Sequence, residues 1–351
     1  MLAMRAGLIL SFATIVVCLL VAEAVSRIAA PEASLWRFPN YIQLYTAPSP
    51  EEQPQLGYDS VLGYQTMANV SGTLRGKTAS YSAEGTRNHN LGSTPSDPAI
   101  LALGDSFTEG YEVANDETWP AHLERDTGRR VYNAGVRGYG LDQIVLRGER
   151  LIPRLKPAIV VLGFIENDID RTGLSVREFR RKPYFVPEGD GLALRGVPVP
   201  TAPFTESLDQ VRHILGYSHL LDRIMRRLGR FELWYGGVVH TGVDTDLVAC
   251  RLMDRFAALV RRENVKALVV AFAQTDRWED PERGAGRHRR AVAVLACAAK
   301  AGLGTLDAYE GFAAAGAATD MDRFYRAWHF TDQGNALAAR LIAKALGLAK
   351  E

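Results

Sequence analysis

Five short apolar runs, separated by amphipathic stretches with helical spacing, constrain the fold of this chain more than any other feature. The runs lack the alternation of apolar and polar residues that a half-exposed strand shows, which predicts strands buried on both faces. These strands are Ala99–Gly104, Val131–Gly135, Ala158–Phe164, Val265–Ala273 and Gly304–Ala308. The flanking helical stretches are Thr118–Thr127, Asp142–Leu151, Leu247–Arg262, Arg287–Ala301 and Asp332–Leu346. The pattern predicts an α/β fold, a doubly wound parallel sheet flanked by helices.

The N-terminus carries an uncharged apolar run from Ala6 to Ala22, preceded by the basic start MLAMR. We predict that residues 1–28 form a signal anchor, or an uncleaved signal-like helix, that inserts into a membrane. Arg5 biases the N-terminal end toward the cytoplasm, which predicts a single-pass cell-membrane protein with an extracytoplasmic (periplasmic) domain. Cleavage within Ala22–Ala24, followed by secretion, is left open, but we favour retention because a glutamate occupies the middle of that site.

The rest of the chain divides by composition. Residues 29–95 are rich in Pro, Ser, Gly and Tyr and predict a stalk followed by short N-terminal strands. Residues 96–351 hold the α/β domain, which is interrupted at about residues 171–246. The interruption contains a predicted hairpin and a basic helix, at Tyr184–Val186 with Leu192–Leu194 and at His219–Arg230. We interpret it as an inserted cap, because such insertions commonly carry binding elements.

The composition also limits the classes of partner. The 41 basic and 40 acidic side chains leave a formal net charge of +1, which gives no electrostatic case for nucleic-acid binding. Cys18, Cys250 and Cys297 are too few and too scattered for a disulfide framework or a zinc site, so we expect neither a metal nor another cofactor. Cys250 and Cys297 lie on predicted helices, where buried free cysteines are the expectation. An oxidising compartment leaves a disulfide between them open.

Three polar segments directly follow predicted strands. They contain Ser106 in GDSFTEG, Gly138 in NAGVRGYG and Asn167 in ENDI. Because the carboxyl ends of parallel strands meet at one edge, we expect these residues to lie close together there. A backbone amide and a side-chain amide are donors that a developing oxyanion needs. Taken singly, each segment also fits a helix cap or a turn.

His329 has the best context of the seven histidines, because it lies in HFTDQGN on the loop that opens the last predicted helix. A serine hydroxyl is a weak nucleophile until a neighbouring base takes its proton. The serine and the histidine together therefore predict nucleophilic catalysis.

The four blocks, in this order, resemble those of the SGNH hydrolases or GDSL-type esterases, and specifically their bacterial membrane-anchored members. The resemblance runs from about Leu56 to Leu346 and includes the N-terminal segments YDSVLGY and YSAEGTRN. It implies an SGNH/flavodoxin-like sheet with Ser106 as nucleophile and His329 as general base. It also implies an oxyanion hole formed by the amides of Ser106 and Gly138 and the side chain of Asn167.

One position departs from the family pattern. The family usually places an aspartate two or three residues before the histidine, where this chain has Ala327 and Arg326. The imidazole must then be oriented by Asp322, by a backbone carbonyl or by water. We favour a Ser–His dyad over the Asp322 alternative.

The resemblance implies a serine hydrolase for a small-molecule or glycan ester. We expect an O-acyl (acetyl) esterase, or an acyltransferase, that acts on cell-envelope carbohydrate through an acyl-Ser106 intermediate. Water or a sugar hydroxyl would attack that intermediate, and the sequence does not separate the two. The alternative is a non-catalytic envelope carbohydrate-binding or assembly protein with a degenerate fold.

Overall fold

The computed structural model describes residues 2–29, 55–89, 91, 96–202 and 204–349, so most of the predicted stalk lies outside the described residues. The helices are α1 (Leu2–Ile28), α2 (Ser106–Glu109), α3 (Trp119–Thr127), α4 (Leu141–Leu155), α5 (Glu166–Arg171), α6 (Asp209–Leu215), α7 (His219–Arg227), α8 (Phe231–Tyr235), α9 (Thr245–Arg262), α10 (Asp276–Glu279), α11 (Pro281–Lys300), α12 (Tyr309–Ala314), α13 (Met321–Phe324) and α14 (Asp332–Leu346). The strands are β1 (Leu56–Asp59), β2 (Gly63–Thr66), β3 (Ser71–Leu74), β4 (Lys77–Ser80), β5 (Ser96–Gly104), β6 (Arg129–Gly135), β7 (Ile159–Phe164), β8 (Leu174–Arg177), β9 (Arg180–Arg181), β10 (Tyr184–Glu188), β11 (Gly191–Arg195), β12 (Val239–His240), β13 (Lys266–Ala271), β14 (Gly304–Asp307), β15 (Tyr325–Arg326) and β16 (His329–Phe330).

The five predicted strands form one parallel sheet in the order β14–β13–β7–β5–β6. The chain leaves β5 for β6 on one side and then continues to β7, β13 and β14 on the other. The strand order therefore switches at β5, and open sheets of this kind bind ligands beyond the carboxyl ends of the strands at the switch. The predicted fold class is confirmed.

Both faces of the sheet are buried, which explains why the strand sequences lack polar alternation. Along β5, Ile100 and Ala102 point to a cluster that also contains residues of α3, α12 and α14. Leu101 and Leu103 point to a second cluster with residues of α4, α9 and α11. All four side chains are fully buried. The helices thus cover the sheet in two layers, as predicted.

Cys250 and Cys297 form a disulfide, with their Cα atoms 5.3 Å apart. The expectation of free cysteines on these helices is therefore wrong. The physical reason is that α9 and α11 pack side by side on the same face of the sheet, which brings the two half-buried thiols together. Cys18, on α1, is free and exposed.

The chain divides into two compact units. One contains α1 together with α6, α7 and α8, and the other contains the central sheet, its covering helices and the hairpin β10–β11. The hairpin was predicted, and its Phe185 is fully buried in the main core. The insertion predicted at residues 171–246 is therefore divided between the two units.

The N-terminal helix α1 contains a 22-residue stretch, Gly7–Ile28, that is long and apolar enough to cross a membrane. Most of its apolar side chains are exposed. By length and composition the helix fits a membrane anchor or a signal sequence.

Candidate functional site

Ser106 lies where β5 ends and α2 begins. A Cβ atom on Gly104, the last residue of β5, would lie 2.8 Å from the carbonyl oxygen of Gly163 on the adjacent strand, so only glycine fits there. Asp105 caps the helix, because its Oδ1 accepts a hydrogen bond from the Phe107 amide at 2.9 Å. The sharp transition from strand to helix sets Ser106 at the carboxyl edge of the sheet.

A hairpin brings His329 to the same edge. Strands β15 and β16 pair antiparallel around a two-residue turn at Ala327 and Trp328, whose φ angles are 44° and 73°. Two positive φ values are the signature of a type I′ turn. The Nε2 atom of His329 lies 2.9 Å from the Oγ atom of Ser106, although the two residues are 223 positions apart. The two side chains predicted to act together are thus in hydrogen-bond contact.

The other imidazole nitrogen faces a carbonyl and a carboxylate. The Nδ1 atom of His329 is 3.3 Å from the carbonyl oxygen of Ala327 and 3.9 Å from Oε1 of Glu112. Asp322 is not among the residues found in contact with His329, and it lines the same cavity as Glu112. The dyad supported by a backbone carbonyl therefore matches the geometry better than the Asp322 alternative does.

Sequence reasoning did not predict Glu112. Its side chain is only 8% exposed, and the Nε atom of Arg75 donates a hydrogen bond to its Oε1 at 3.1 Å. Glu112 lies three residues beyond Glu109 in the nucleophile segment, but nothing in its spacing indicates that the chain there turns back toward His329. An acidic residue so close to the nucleophile block is the only signal that the sequence offered.

Burial lowers the pKa of His329 below its usual range. The charges of Asp105 and Glu112 and the hydrogen bond to Ala327 oppose this lowering. The imidazole is therefore neutral at neutral pH and is able to accept the Ser106 proton. The same two carboxylates favour the imidazolium that this transfer creates.

The three predicted oxyanion donors follow three neighbouring strands of the sheet. The amide of Ser106 is at the start of α2, that of Gly138 follows β6, and the side chain of Asn167 is at the start of α5 after β7. None of the three groups makes a hydrogen bond to another residue within the part of the chain that the structure describes. Since β6, β5 and β7 are neighbours, the three donors belong to adjacent strand ends, as predicted.

A buried carboxylate holds the glycine segment in place. Glu109 is fully buried, and its carboxylate accepts hydrogen bonds from the Arg137 amide and from Arg137 Nη1, both at 2.7 Å. The Tyr81 hydroxyl donates to the same carboxylate at 2.5 Å. Because Arg137 precedes Gly138, these bonds fix the backbone that presents the Gly138 amide. Glu109 and Arg137 are therefore supports for the site.

Arg87 supports the loop that carries Glu112. Its guanidinium is buried and donates to the carbonyl oxygens of Gly110 at 2.5 Å and Val113 at 2.7 Å. A side-chain bond to Asn115 completes the cluster. The YSAEGTRN segment supplies Tyr81 and Arg87. It thus supports the loops that carry site residues and does not itself follow a strand of the central sheet.

Arg171 connects the segments that follow β5, β6 and β7. It pairs with both Asp105 and Asp168 and donates to the Tyr139 carbonyl oxygen at 2.9 Å. Burial, followed by the nearby charge of Asp105, raises the pKa of Asp168 well above its usual range. Asp168, the neighbour of Asn167 in the chain, is thereby linked through Arg171 to the segments that follow β5 and β6.

Two features outside the Ser106–His329 pair face solvent. Trp328, adjacent to His329, is 67% exposed. Next to Glu112 is a cavity of about 300 Å³ whose lining is polar apart from Val113. The other lining residues are Lys77, Glu112, Glu117, Asp322, Arg323, Arg326, Thr331, Asp332 and Gln333. Over the described ranges of the chain, no group of three His, Cys, Asp or Glu residues is arranged to hold a metal ion.

Comparisons with known structures give neighbours of low identity. An alpha/beta hydrolase enzyme from the metagenome of Lake Arreo, Spain, is 11% identical, with 74% of this chain and 99% of that chain covered and a TM-score of 0.47. A variant of an acetyl xylan esterase from Geobacillus stearothermophilus is 13% identical, with 73% and 98% covered and a TM-score of 0.44. The lipase/acylhydrolase from Enterococcus faecalis is 17% identical, with 72% and 97% covered and a TM-score of 0.41.

A comparison with curated protein sequences found no significant match. The model of the GDSL-like lipase/acylhydrolase family, in contrast, matches residues 102–337. The match begins within β5 and ends within α14, so it includes all four blocks that carry Ser106, Gly138, Asn167 and His329. It extends over more than half of the chain. This protein therefore belongs to the GDSL-like lipase/acylhydrolase family.

Proposed function

We propose that the protein is an acyl-ester hydrolase or acyltransferase that works through an acyl intermediate on Ser106. The observation that carries the proposal is the 2.9 Å contact between Ser106 Oγ and His329 Nε2. The lowered pKa of His329 supports it, and so do three donors on adjacent strand ends that bond to none of the described residues. Together these features supply a nucleophile, a base and a site for the oxyanion.

In the first step, His329 removes the hydroxyl proton while Ser106 Oγ bonds to the ester carbonyl carbon. The carbonyl oxygen becomes an oxyanion and accepts hydrogen bonds from the amides of Ser106 and Gly138 and the side chain of Asn167. Collapse of this intermediate breaks the ester bond, and His329 returns its proton to the leaving alcohol. Water, or a sugar hydroxyl, then attacks the acyl-Ser106 ester with the same base.

The proposed substrate is an O-acyl, for example O-acetyl, ester on a carbohydrate of the cell envelope. Trp328 offers an exposed, flat apolar surface beside His329 on which a sugar ring can stack. The cavity next to Glu112 offers polar groups of both charges for hydroxyl groups. Neither feature suits a long acyl chain, which an apolar cleft would hold better.

A fluorophosphonate probe tests the proposal directly, because it labels only a serine that a base has activated. We expect the wild-type chain to be labelled and a Ser106→Ala variant to remain unlabelled. Ser96→Ala is the matched control, since Ser96 lies at the opposite end of the same strand and should not affect labelling. A folded wild-type chain that fails to react would favour the second candidate function, a non-catalytic envelope carbohydrate-binding protein, which the missing family aspartate supports.

Removal of the Asn167 side-chain amide should reduce turnover. We expect Asn167→Ala to lower kcat about a hundredfold, as loss of one oxyanion donor does in other hydrolases. The fold should be preserved because the side chain has no other hydrogen-bond partner among the described residues. Steady-state kinetics with p-nitrophenyl acetate measure the change. An effect confined to KM would instead assign Asn167 to substrate positioning.

Trp328→Ala should impair the hydrolysis of a sugar ester but not that of a simple ester. If the indole stacks on a sugar ring, the variant should raise KM for an acetylated oligosaccharide about tenfold, the effect of losing about 1.4 kcal/mol of binding. It should leave p-nitrophenyl acetate hydrolysis nearly unchanged, because that substrate is too small to need the surface. Equal effects on both substrates would show that Trp328 acts on the Ser106–His329 geometry.

We further propose that α1 anchors the chain in the cell membrane with the sheet-containing unit outside the cytoplasm. Support comes from the basic residue before the apolar run and from the Cys250–Cys297 disulfide, since cytoplasmic thiols stay reduced.

A reporter fused after residue 351 checks the orientation. A phosphatase that folds only in an oxidising compartment should be active in this fusion and inactive when residues 1–28 are deleted. A fluorescent protein that folds only in the cytoplasm should show the reverse. Cytoplasmic fluorescence from the full chain would refute both the compartment and the envelope substrate.

A further inference from the structure

We propose that α6, α7 and the three residues after α7, residues 228–230, form an interfacial surface beside α1. This surface lies at the boundary between the headgroups and the acyl chains of an anionic bilayer. The proposal rests on α1 remaining attached and spanning the membrane. It assigns to the middle of the sequence insertion a lipid-binding role that is distinct from capping the active site.

The first observation is the bonding between α1 and α7. The carboxylate of Glu23, on α1, accepts hydrogen bonds from the Ser218 hydroxyl at 2.8 Å and from the amides of His219 and Leu220 at 3.0 and 2.9 Å. Arg27 completes the set with an ion pair at 2.7 Å. Glu23 thus caps the N-terminus of α7 from a residue almost 200 positions earlier. A carboxylate near the hydrocarbon region requires such pairing, and here it has four donors.

The depth of the surface follows from this contact. Apolar residues of α6 and α7 line one groove together with Leu19 and Leu20 of α1. Leu20 is about 10 Å along the helix axis from Arg27, at 1.5 Å per residue. Interfacial helices place their apolar faces about 5–10 Å into the headgroup and acyl boundary. The bonded position of α7 on α1 therefore puts its aliphatic side chains at that depth when α1 spans the bilayer.

The second observation is the composition of the exposed surface. Ile214 is 74% exposed and Leu228 is 66% exposed. Exposed arginines accompany them at positions 223, 226, 227 and 230. Aliphatic residues combined with clustered arginines are typical of helices that bind anionic membrane surfaces. A water-facing element would not gain from so many exposed aliphatic side chains.

The test uses the full chain, with Cys18→Ala to remove the free thiol, in bilayer discs that hold one copy each. A fluorophore is attached at Ile214→Cys or Leu228→Cys, and Val292→Cys on α11 serves as the matched control from the other unit. We expect a lipid-borne nitroxide to quench the first two labels several-fold more strongly than the control. Iodide in the water should quench the control more strongly.

A second comparison tests the charges. Arg227→Gln with Arg230→Gln should weaken nitroxide quenching in discs that contain phosphatidylglycerol and have no effect in neutral phosphatidylcholine. Arg289→Gln with Arg340→Gln, two exposed arginines of the other unit, should have no effect in either lipid.

Iodide access at positions 214 and 228 equal to that of the control would overturn the proposal. Protection from both quenchers would also overturn it, because a second protein would then cover the surface. Intact mass is measured on the same sample, and a mature chain without residues 1–28 would refute the proposal as well.

Discussion

Replacement of His329 by alanine is expected to lower kcat for ester hydrolysis about a million-fold, the loss seen when the base of a serine triad is removed. Without the imidazole, the described residues leave the Ser106 hydroxyl one other side-chain acceptor, Asp105 at 3.3 Å, whose carboxylate is already paired with Arg171. A carboxylate is ordinarily a far weaker base than a neutral imidazole. The hydroxyl therefore remains a poor nucleophile.

His122→Ala is the matched control, because that histidine pairs with Asp332 at 2.7 Å and does not contact Ser106. Single-turnover and steady-state measurements with p-nitrophenyl acetate, together with a thermal melt, give the comparison. Ser106→Ala should cause an equal loss, and the double variant should be no worse, since the two residues act as one unit. A loss of only about tenfold in His329→Ala would contradict the proposed base.

Glu112→Gln is expected to lower kcat by up to about a thousandfold. A unit negative charge 3.9 Å from Nδ1 favours the imidazolium by about 4 kcal/mol at an effective dielectric constant near 20, or about three powers of ten in rate. This is an upper limit, because the positive charge of Arg75 offsets part of the Glu112 charge. Glutamine is nearly the same size as glutamate, so the packing is kept. Its amide oxygen still accepts the hydrogen bond from Arg75, so only the charge changes. Asp322→Asn is the matched control and should be nearly silent, since Asp322 does not contact the imidazole.

The pH profile separates this charge effect from a packing effect. Burial lowers the pKa of His329 and Glu112 opposes the lowering, so the rising limb of kcat/KM should have its midpoint below the ordinary histidine value of about 6.5. Glu112→Gln removes the opposing charge and should move that midpoint to still lower pH. A large loss of activity in Asp322→Asn, with an unmoved limb in Glu112→Gln, would restore Asp322 as the orienting acid.

The sheet was predictable from the sequence because burial on both faces leaves a direct mark, an apolar run without alternation. Each of the five runs became a strand, and the ends of β5, β6 and β7 gave the expected edge. Helix ends were less predictable. Helix α11, for example, begins at Pro281 and not near Arg287, because a proline in the first turn and the Asp280 cap extend a stretch whose arginines obscure the apolar period.

The missed features all depend on contacts between distant parts of the chain. The disulfide required knowing that α9 and α11 are neighbours. The position of Glu112 required knowing how Arg87 folds the loop after α2. The grouping of α7 with α1 depends on the cap that Glu23 provides. No local period or motif encodes any of these arrangements.

The missing aspartate can be interpreted in terms of the hairpin. Ala327, one of the positions where the family places its acid, has a φ of 44° and is part of the type I′ turn. Aspartate tolerates this left-handed conformation better than alanine does, so backbone strain does not explain its absence. The Ala327 carbonyl already contacts Nδ1, and a carboxylate from another segment lies next to it.

At the turn of Ala327 and Trp328, a substitution that stabilises the hairpin would remove a side chain proposed to bind substrate. Type I′ turns favour Asn-Gly, whereas an ordinary L-residue in the left-handed region costs about 1–2 kcal/mol. Asn-Gly at these positions would relax the hairpin that holds His329, but it would delete the exposed indole next to His329 in the chain. Directed evolution for heat resistance alone would thus replace Trp328 early. A screen on simple chromogenic esters would not detect the lost binding of sugar esters.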